Sequence, residues 1–205
     1  MAQLSDRLIK TGEALVRRLN GHRWHRLESQ DARPAGVLMP LWDDGQTVRV
    51  VFTKRTETLP HHAGQISFPG GMAEDDDPSL MDTALRETHE EIGVPPEAVK
   101  VVARLDQVLT ITSFVVTPFV GLLSPDVEFV PNPVEVAKLI KVPLAKVLDR
   151  NQYRTTEINW QGMQFKQPAL THNGDVIWGA TGRMLLNLLD ALGDGAAEVA
   201  RAAKG

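Results

Sequence analysis

The sequence predicts an α+β domain or a mixed α/β/α sandwich, and three observations point there. Short runs of β-branched and apolar residues recur along the chain and are interleaved with a few amphipathic segments. Turn-forming stretches such as Asp43-Asp44-Gly45-Gln46 and Gln161-Gly162 separate neighbouring runs, as hairpins require. No repeat and no Ser/Pro-rich linker interrupts the 205 residues, a length suited to one domain with an added helix.

Leu4, Leu8, Leu15 and Leu19 fall close to helical spacing, so residues 5–20 read as an amphipathic helix. It has no second apolar stripe, so packing on the domain is expected, with a homodimer contact as the alternative. Gly21 to Pro34 is polar and reads as a loop. Val37 to Trp42 and Val48 to Thr53 form the first hairpin. Thr56 to Gln65, with Pro60, His61, His62 and Gly64, is a loop, and Phe68-Pro69-Gly70-Gly71 marks a short strand ending in a sharp bend. Asp75 to Ser79 is a turn. Residues 79–93 are helical until Gly93, and Pro95-Pro96 blocks continuation. Val101 to Leu105 and Val115 to Leu123 are strands, Val134 to Ile140 is a short helix, and Leu144 to Leu148 another. Gln152 to Trp160 and Met163 to Phe165 make a second hairpin, and Val176 to Trp178 leads into a helix at Thr181 to Leu192. The expected division is an N-terminal helix and loop over 1–34, the domain proper over 35–192 and a frayed tail over 193–205.

Composition excludes several chemistries. There is no cysteine, which removes disulfides, thiolate metal sites and cysteine nucleophiles. The 22 basic and 26 acidic residues leave a net charge of -4, so no nucleic-acid partner is expected, although a local basic pocket for a phosphorylated small molecule is compatible. The most apolar stretch, Ser113 to Leu123, contains Pro118 and falls short of the ~20 residues of a spanning helix, so no membrane partner is expected. The first residues lack the continuous apolar region of a secretory signal, and a cytoplasmic location is expected.

The chemistry concentrates between Gly70 and Gly93. Along a helix, with Glu87 at zero, Glu90 falls near ~300° and Glu91 near ~40°, whereas Met81, Leu85, Thr88 and Ile92 fall at roughly 100–160°. Three carboxylates thus share a face opposite the expected core. Alone they repel one another, and a solvated acidic face is the simpler account. A hard divalent cation such as Mg²⁺ or Mn²⁺ would turn that repulsion into attraction. Gly70-Gly71 favours the cation, because paired glycines after a strand admit close approach of a ligand.

This window resembles the signature of the Nudix hydrolases, G-x5-E-x7-R-E-U-x-E-E-x-G-U with U apolar. Gly71, Arg86, Glu87, Glu90, Glu91, Gly93 and Val94 match it. The stretch from Gly71 to Arg86 is one residue longer than the signature. Asp77 best meets the acidic loop position, and Thr88 stands where an apolar residue is expected. Upstream, Arg55, Gly64 and Phe68-Pro69-Gly70-Gly71 fit the extra motif of the coenzyme A pyrophosphatase branch, L-L-T-x-R-S-x3-R-x3-G-x3-F-P-G-G. Thr56 replaces its Ser and Pro60 its second Arg. Val116-Thr117-Pro118, Pro131 to Val136 and Ile177 to Thr181 are similar to that branch as well, so the likeness spans roughly residues 35–190.

The resemblance implies an α/β/α sandwich with a mixed central β-sheet and a Nudix domain over 35–192. It implies metal-dependent hydrolysis of the diphosphate bond of coenzyme A or its derivatives, giving adenosine 3′,5′-bisphosphate and 4′-phosphopantetheine. Gly70, Glu87, Glu90 and Glu91 would hold Mg²⁺ or Mn²⁺. Glu87, Glu91 and Arg86 would be the catalytic residues, with Arg86 orienting a glutamate. The general base stays open among Glu87, Glu91 and a later loop carboxylate. Glu135 is a weaker candidate, better read as capping or supporting a short helix. Lys54, Arg55 and Gln65 would meet the nucleotide substrate, with His61 and His62 as substitutes for the charge missing at Pro60. Trp24, Trp42, Trp160 and Trp178 read as packing residues before adenine-stacking ones. Other nucleoside diphosphate derivatives (ADP-ribose, NADH, a dinucleotide or a nucleoside triphosphate) are the alternative substrates. A non-catalytic nucleotide-binding module is the alternative of another class, disfavoured because all three helix carboxylates are intact.

Overall fold

The computed structural model of the chain describes residues 4–27, 29, 31–57, 63–160 and 162–205. Pro60, His61 and His62 lie outside the described residues, as does the side chain of Trp160. The elements run α1 (Asp6–Leu19), β1 (Arg33–Asp43), β2 (Val48–Arg55), β3 (Ile66–Ser67), β4 (Gly70–Met72), α2 (Leu80–Ile92), β5 (Val99–Arg104), β6 (Val108–Leu109), β7 (Phe114–Leu123) and β8 (Val136–Pro143). They continue through α3 (Leu144–Val147), β9 (Tyr153–Trp160), β10 (Met163–His172), β11 (Asp175–Ile177), α4 (Gly179–Leu192) and α5 (Ala196–Ala202).

Among the described residues, the main sheet follows the order β3-β2-β1-β7-β5, with β4 added to β1, β6 to β7 and β8 to β2. β1 and β7 are parallel and the remaining pairs antiparallel, so the sheet is mixed. A separate antiparallel sheet orders β11-β10-β9.

Alternate residues of a strand face opposite sides of a sheet, and β1 uses both. Val37, Met39 and Leu41 enter a core shared with Leu8 and Leu15 of α1, Leu185 and Leu189 of α4, and Val199 of α5. Leu38 enters a second core with Ala84 and Ile92 of α2. Helices therefore cover both faces, and the architecture is the expected α/β/α sandwich. Burial on both sides also explains the nearly unbroken apolar run of β1.

The expected helix over 5–20 is α1, and it packs on the domain. Its N-cap Ser5 accepts a hydrogen bond from the Leu8 N–H and donates one to buried Asp43 at the end of β1, which also pairs with Arg7. The first hairpin is present, with β1 already starting at Arg33. The second is longer than expected, because β10 continues to His172 and pairs with both neighbours.

Three local expectations fail. Val134 to Ile140 is not a helix: β8 begins at Val136 and pairs antiparallel with β2, Phe52 opposite Ile140 and Val50 opposite Val142. Val136, Ile140 and Val142 are buried, an every-other-residue pattern that a short apolar run shares with a helix until a partner strand decides. Phe68-Pro69 is the bend rather than a strand. Gly70 to Met72 forms β4, while Phe68 stacks on Phe52 at 5.0 Å between ring centres. The tail from Gly193 is ordered as a 3-10 turn and α5. Ala196, Val199 and Ala203 are buried, Glu198 pairs with Arg17 and Arg18 of α1, and the Ala203 carbonyl accepts from the Val48 N–H. The alanines that suggested fraying are good helix formers small enough for close packing.

Val199→Asp places an unpaired carboxylate at a fully buried position. We expect a loss of at least ~2 kcal/mol in urea unfolding. A tail that frayed would show no change.

Candidate active site

α2 carries the carboxylates, and its ends are set locally. The Ser79 hydroxyl caps the N-terminus through the Asp82 N–H. Gly93 ends the helix with φ 74° and its N–H on the His89 carbonyl. The expected inward face is present at Leu85, Thr88 and Ile92 but is rotated toward the acidic side. Met81 is 38% exposed, and the buried residues are Thr83, Ala84, Thr88, Glu91 and Ile92. The acidic face thus borders the core, and one of its glutamates lies inside it.

Close packing at two glycines produces this. A Cβ at Gly36 of β1 would stand 2.1 Å from the Leu80 carbonyl oxygen, so only glycine lets α2 lie this near the sheet. A Cβ at Gly71 of β4 would stand 2.5 Å from the Glu87 carboxylate. The missing side chain at Gly71 is the space that carboxylate occupies.

Arg86 is enclosed by acids. Its Nε and Nη2 donate to the two oxygens of Asp77 at 3.0 Å each, its Nη1 to Glu87 at 2.9 Å and to Glu90 at 3.3 Å, and its Nη2 to the Met72 carbonyl. Its guanidinium is thus occupied by these carboxylates. Asp77 takes a different part from a metal ligand. It accepts from Arg86, from the Glu74 N–H and from the Thr83 hydroxyl, and these bonds hold its carboxyl well below the usual carboxylate range.

The three helix glutamates differ in environment. Glu90 is 54% exposed on its side chain. Glu87 is mostly buried, and burial pushes its pKa up against the pull of Arg86. Glu91 is 5% exposed, and burial pushes it up to about 8, opposed by Arg55 and by a hydrogen bond from the Gly70 backbone. Arg55 Nη1 stands 3.8 Å from Glu91 Oε1, while Glu91 Oε2 and Arg55 Nε are both buried without a hydrogen-bond partner.

Glu135 also belongs to this neighbourhood. It precedes β8 and supports no helix. The Asn132 N–H donates to the Glu91 carbonyl and the Thr56 N–H to the Glu135 carbonyl. The Glu135 charge raises the pKa of both Glu87 and Glu91. Its place in the fold was invisible in sequence, because it depends on β2 pairing with β8.

Beside these groups opens a cavity of about 970 Å³. Arg55, Gln65, Gly70 and Gly71 line one part of it, and Leu109, Ile111 and Phe114 another. Lys54 does not line it. The pairing of β2 with β8 shifts register between Lys54 and Arg55, and of the two it is Arg55 that reaches the cavity lining. Trp178 precedes α4 and lines the cavity. Trp42 packs edge-on against Phe129, and Trp24 packs against His22, in keeping with packing roles.

A buried carboxylate oxygen without a partner, beside a second desolvated carboxylate and an exposed third, fits a hard divalent cation. The donors are all oxygen. Among the described residues, no three such side chains already converge to ligand distances. In their place the acids are drawn to Arg86 and Arg55.

An acidic helix face held against a glycine pair, at the mouth of a large cavity in a mixed α/β/α sandwich, defines a class of phosphate-anhydride hydrolases. Residues 32–159 match the NUDIX domain, and the chain belongs to the Nudix hydrolase family. It is 36% identical to an uncharacterized Nudix hydrolase NudL of Photorhabdus laumondii subsp. laumondii, over 78% of this chain and 85% of that one. It is 37% identical to an uncharacterized Nudix hydrolase NudL of Cronobacter sakazakii, over 81% and 86%. Among solved structures, a Nudix hydrolase of M. smegmatis, RenU, is 24% identical over 62% of this chain and 83% of that one, with a TM-score of 0.47. The chain is an enzyme of this family that hydrolyses pyrophosphate bonds. Among the described residues, no helix is long and apolar enough to cross a membrane.

Asp77 has a folded pKa below its unfolded value, so its contribution is present above about pH 4 and fades as pH falls below that. Asp77→Asn should cost ~1–2 kcal/mol at pH 7 in urea unfolding. The gap from wild type should narrow between about pH 4 and pH 2. A gap independent of pH would contradict the Arg86 bond as its source.

Proposed function

We propose that the protein hydrolyses the diphosphate bond of coenzyme A or its derivatives, giving adenosine 3′,5′-bisphosphate and 4′-phosphopantetheine. The observation that carries this reading is the cavity. At about 970 Å³ it lies at the upper end of the ~300–1,000 Å³ of ligand pockets, more than a compact nucleotide needs. Its lining combines polar groups at Arg55, Gln65 and Gly70-Gly71 with apolar side chains at Val108, Leu109, Ile111, Phe114 and Met184, and Thr110 and Thr112 stand among the latter. Leu109 and Ile111, 54% and 76% exposed, stand together in this lining and offer apolar surface to a ligand. A substrate with a phosphorylated nucleotide at one end and a long, weakly polar arm at the other matches both kinds of group.

Glu87, Glu90 and Glu91, with the Gly70 carbonyl, would hold Mg²⁺ or Mn²⁺. Such an ion supplies neutralisation of the diphosphate charge and a more acidic water. The chain's own groups set the geometry. Arg86, anchored by Asp77, aims Glu87 and Glu90. Glu91, packed under Gly70, faces Arg55, whose planar guanidinium suits a phosphate oxygen pair. Glu135 adds a further carboxylate from outside the helix and joins Glu87 and Glu91 as a candidate base. The apolar walls exclude water from the arm of the substrate.

A second reading, hydrolysis of ADP-ribose, NADH or another nucleotide, is favoured by Pro60, which offers no positive charge where the coenzyme A motif carries arginine.

Incubation with Mg²⁺ or Mn²⁺ and chromatography of the products separate these readings. Coenzyme A should be cut into the two named products with a kcat/KM above those for ADP-ribose and NADH. If ADP-ribose or NADH is cut and coenzyme A is not, the second reading holds. Glu91→Gln keeps the shape of the side chain and should lower kcat at least about a hundredfold, or ~2.7 kcal/mol, with an unchanged circular dichroism spectrum. Near-wild-type turnover of this variant at saturating metal would remove Glu91 from the mechanism.

A further inference from the structure

We propose that Arg183 of α4 receives the 3′-phosphate of the substrate's adenosine and thereby selects coenzyme A over its dephospho form. This rests on the coenzyme A reading above. His25, Arg55, Lys166 and Arg183 are the basic residues among the described lining of the cavity. Arg55 stands 3.8 Å from Glu91, which places it at the carboxylate end of the cavity, where the diphosphate would lie. Lys166 is paired with Glu157 at 3.0 Å. His25 lies beside the Asp106 carboxylate, to which its backbone N–H donates. Arg183 is exposed, and among the described residues no carboxylate pairs with it. The connection between β2 and β3, residues 56–65, contains no lysine or arginine. Among the described lining, Arg183 is therefore the full charge that neither pairs with a carboxylate nor stands at the carboxylate end.

Its position is fixed relative to the reacting end. The buried Thr181 hydroxyl donates to the Ile66 carbonyl at 3.1 Å, tying the first turn of α4 to β3. β3 leads through Phe68-Pro69 directly into Gly70-Gly71. Gly179 and Ala180, one turn before Arg183, and Asn187, one turn after, line the same cavity, so this helix face is turned to the ligand. A guanidinium fork binds a terminal phosphate through two parallel hydrogen bonds, and Asn187 adds a neutral donor beside it.

The test compares adenosine 3′,5′-bisphosphate with adenosine 5′-monophosphate by calorimetric titration without metal, in wild type, Arg183→Gln and Arg183→Lys. Wild type should prefer the bisphosphate. Arg183→Gln should weaken its binding about tenfold while changing the monophosphate less than about twofold, and Arg183→Lys should restore part of the loss. In turnover, the kcat/KM preference for coenzyme A over dephospho-coenzyme A should fall about tenfold in Arg183→Gln, through KM rather than kcat. Equal weakening of both nucleotides would make Arg183 a general phosphate contact and overturn the assignment. So would a preference unchanged by Arg183→Gln. Either result leaves the coenzyme A reading intact. A wild type that cuts neither coenzyme A nor its dephospho form, but cuts ADP-ribose or NADH, overturns both.

Discussion

The site depends on how closely α2 lies on the sheet. At one crossing, Gly36 and Gly71 remove the side chains that would hold the helix away, and Gly70 lets β4 lie close on β1. A Cβ at Gly36 would meet the helix backbone, one at Gly70 would stand 2.5 Å from the Gly36 carbonyl oxygen, and one at Gly71 would overlap the Glu87 carboxylate. Gly70 also adopts φ 148°, a backbone conformation that side chains disfavour. Polar backbone and acidic side chains are thereby brought together where most proteins would place apolar contacts. The packing that closes the smaller core, around Leu38, Ala84 and Ile92, is the same packing that sets the depth of Glu91.

That depth has an electrostatic cost, which the surrounding charges only partly offset. Burial makes Glu87 and Glu91 harder to ionise, the Glu135 charge acts in the same direction on both, and Glu87 does so on Glu91. Arg86 and Arg55 are the local counter-charges. Arg86 is bound to Asp77, Glu87 and Glu90 together, so it serves as a strut with little left for a ligand. Arg55 lies too far from Glu91 for a hydrogen bond and leaves one glutamate oxygen unpartnered. Buried polar atoms are rarely left so in folded proteins, and a cation with a phosphate ligand would satisfy both sides of the gap.

Much of this was legible in the sequence because it is local. The ends of α2 follow from Ser79 and Gly93, and the shared face of Glu87, Glu90 and Glu91 follows from helical period. The glycine pair announced a close approach. What stayed hidden depends on partners distant in sequence. The apolar run at Val134 to Ile140 fits either a helix or a strand until β2 offers an edge, and with β8 comes the placement of Glu135. The alanine-rich end reads as fraying until α1 and Val48 supply its contacts. Asp77 matched the acidic loop position in spacing, yet the added residue in that loop coincides with a carboxylate turned to Arg86. That Arg55 and not Lys54 lines the cavity follows a register shift between β2 and β8, which only the pairing reveals, and Arg183 lay outside every motif.

The central claim is that the missing side chain at Gly71 makes room for a metal-binding carboxylate. Gly71→Ala tests it, because the added Cβ meets the movable end of Glu87 rather than backbone. Mn²⁺ binding followed by electron paramagnetic resonance, on wild type and on this variant, is the direct measurement. The account predicts that wild type binds Mn²⁺ and that the folded variant binds it at least about tenfold more weakly. Equal Mn²⁺ affinity in the two proteins, or no binding to wild type at millimolar metal, would contradict it.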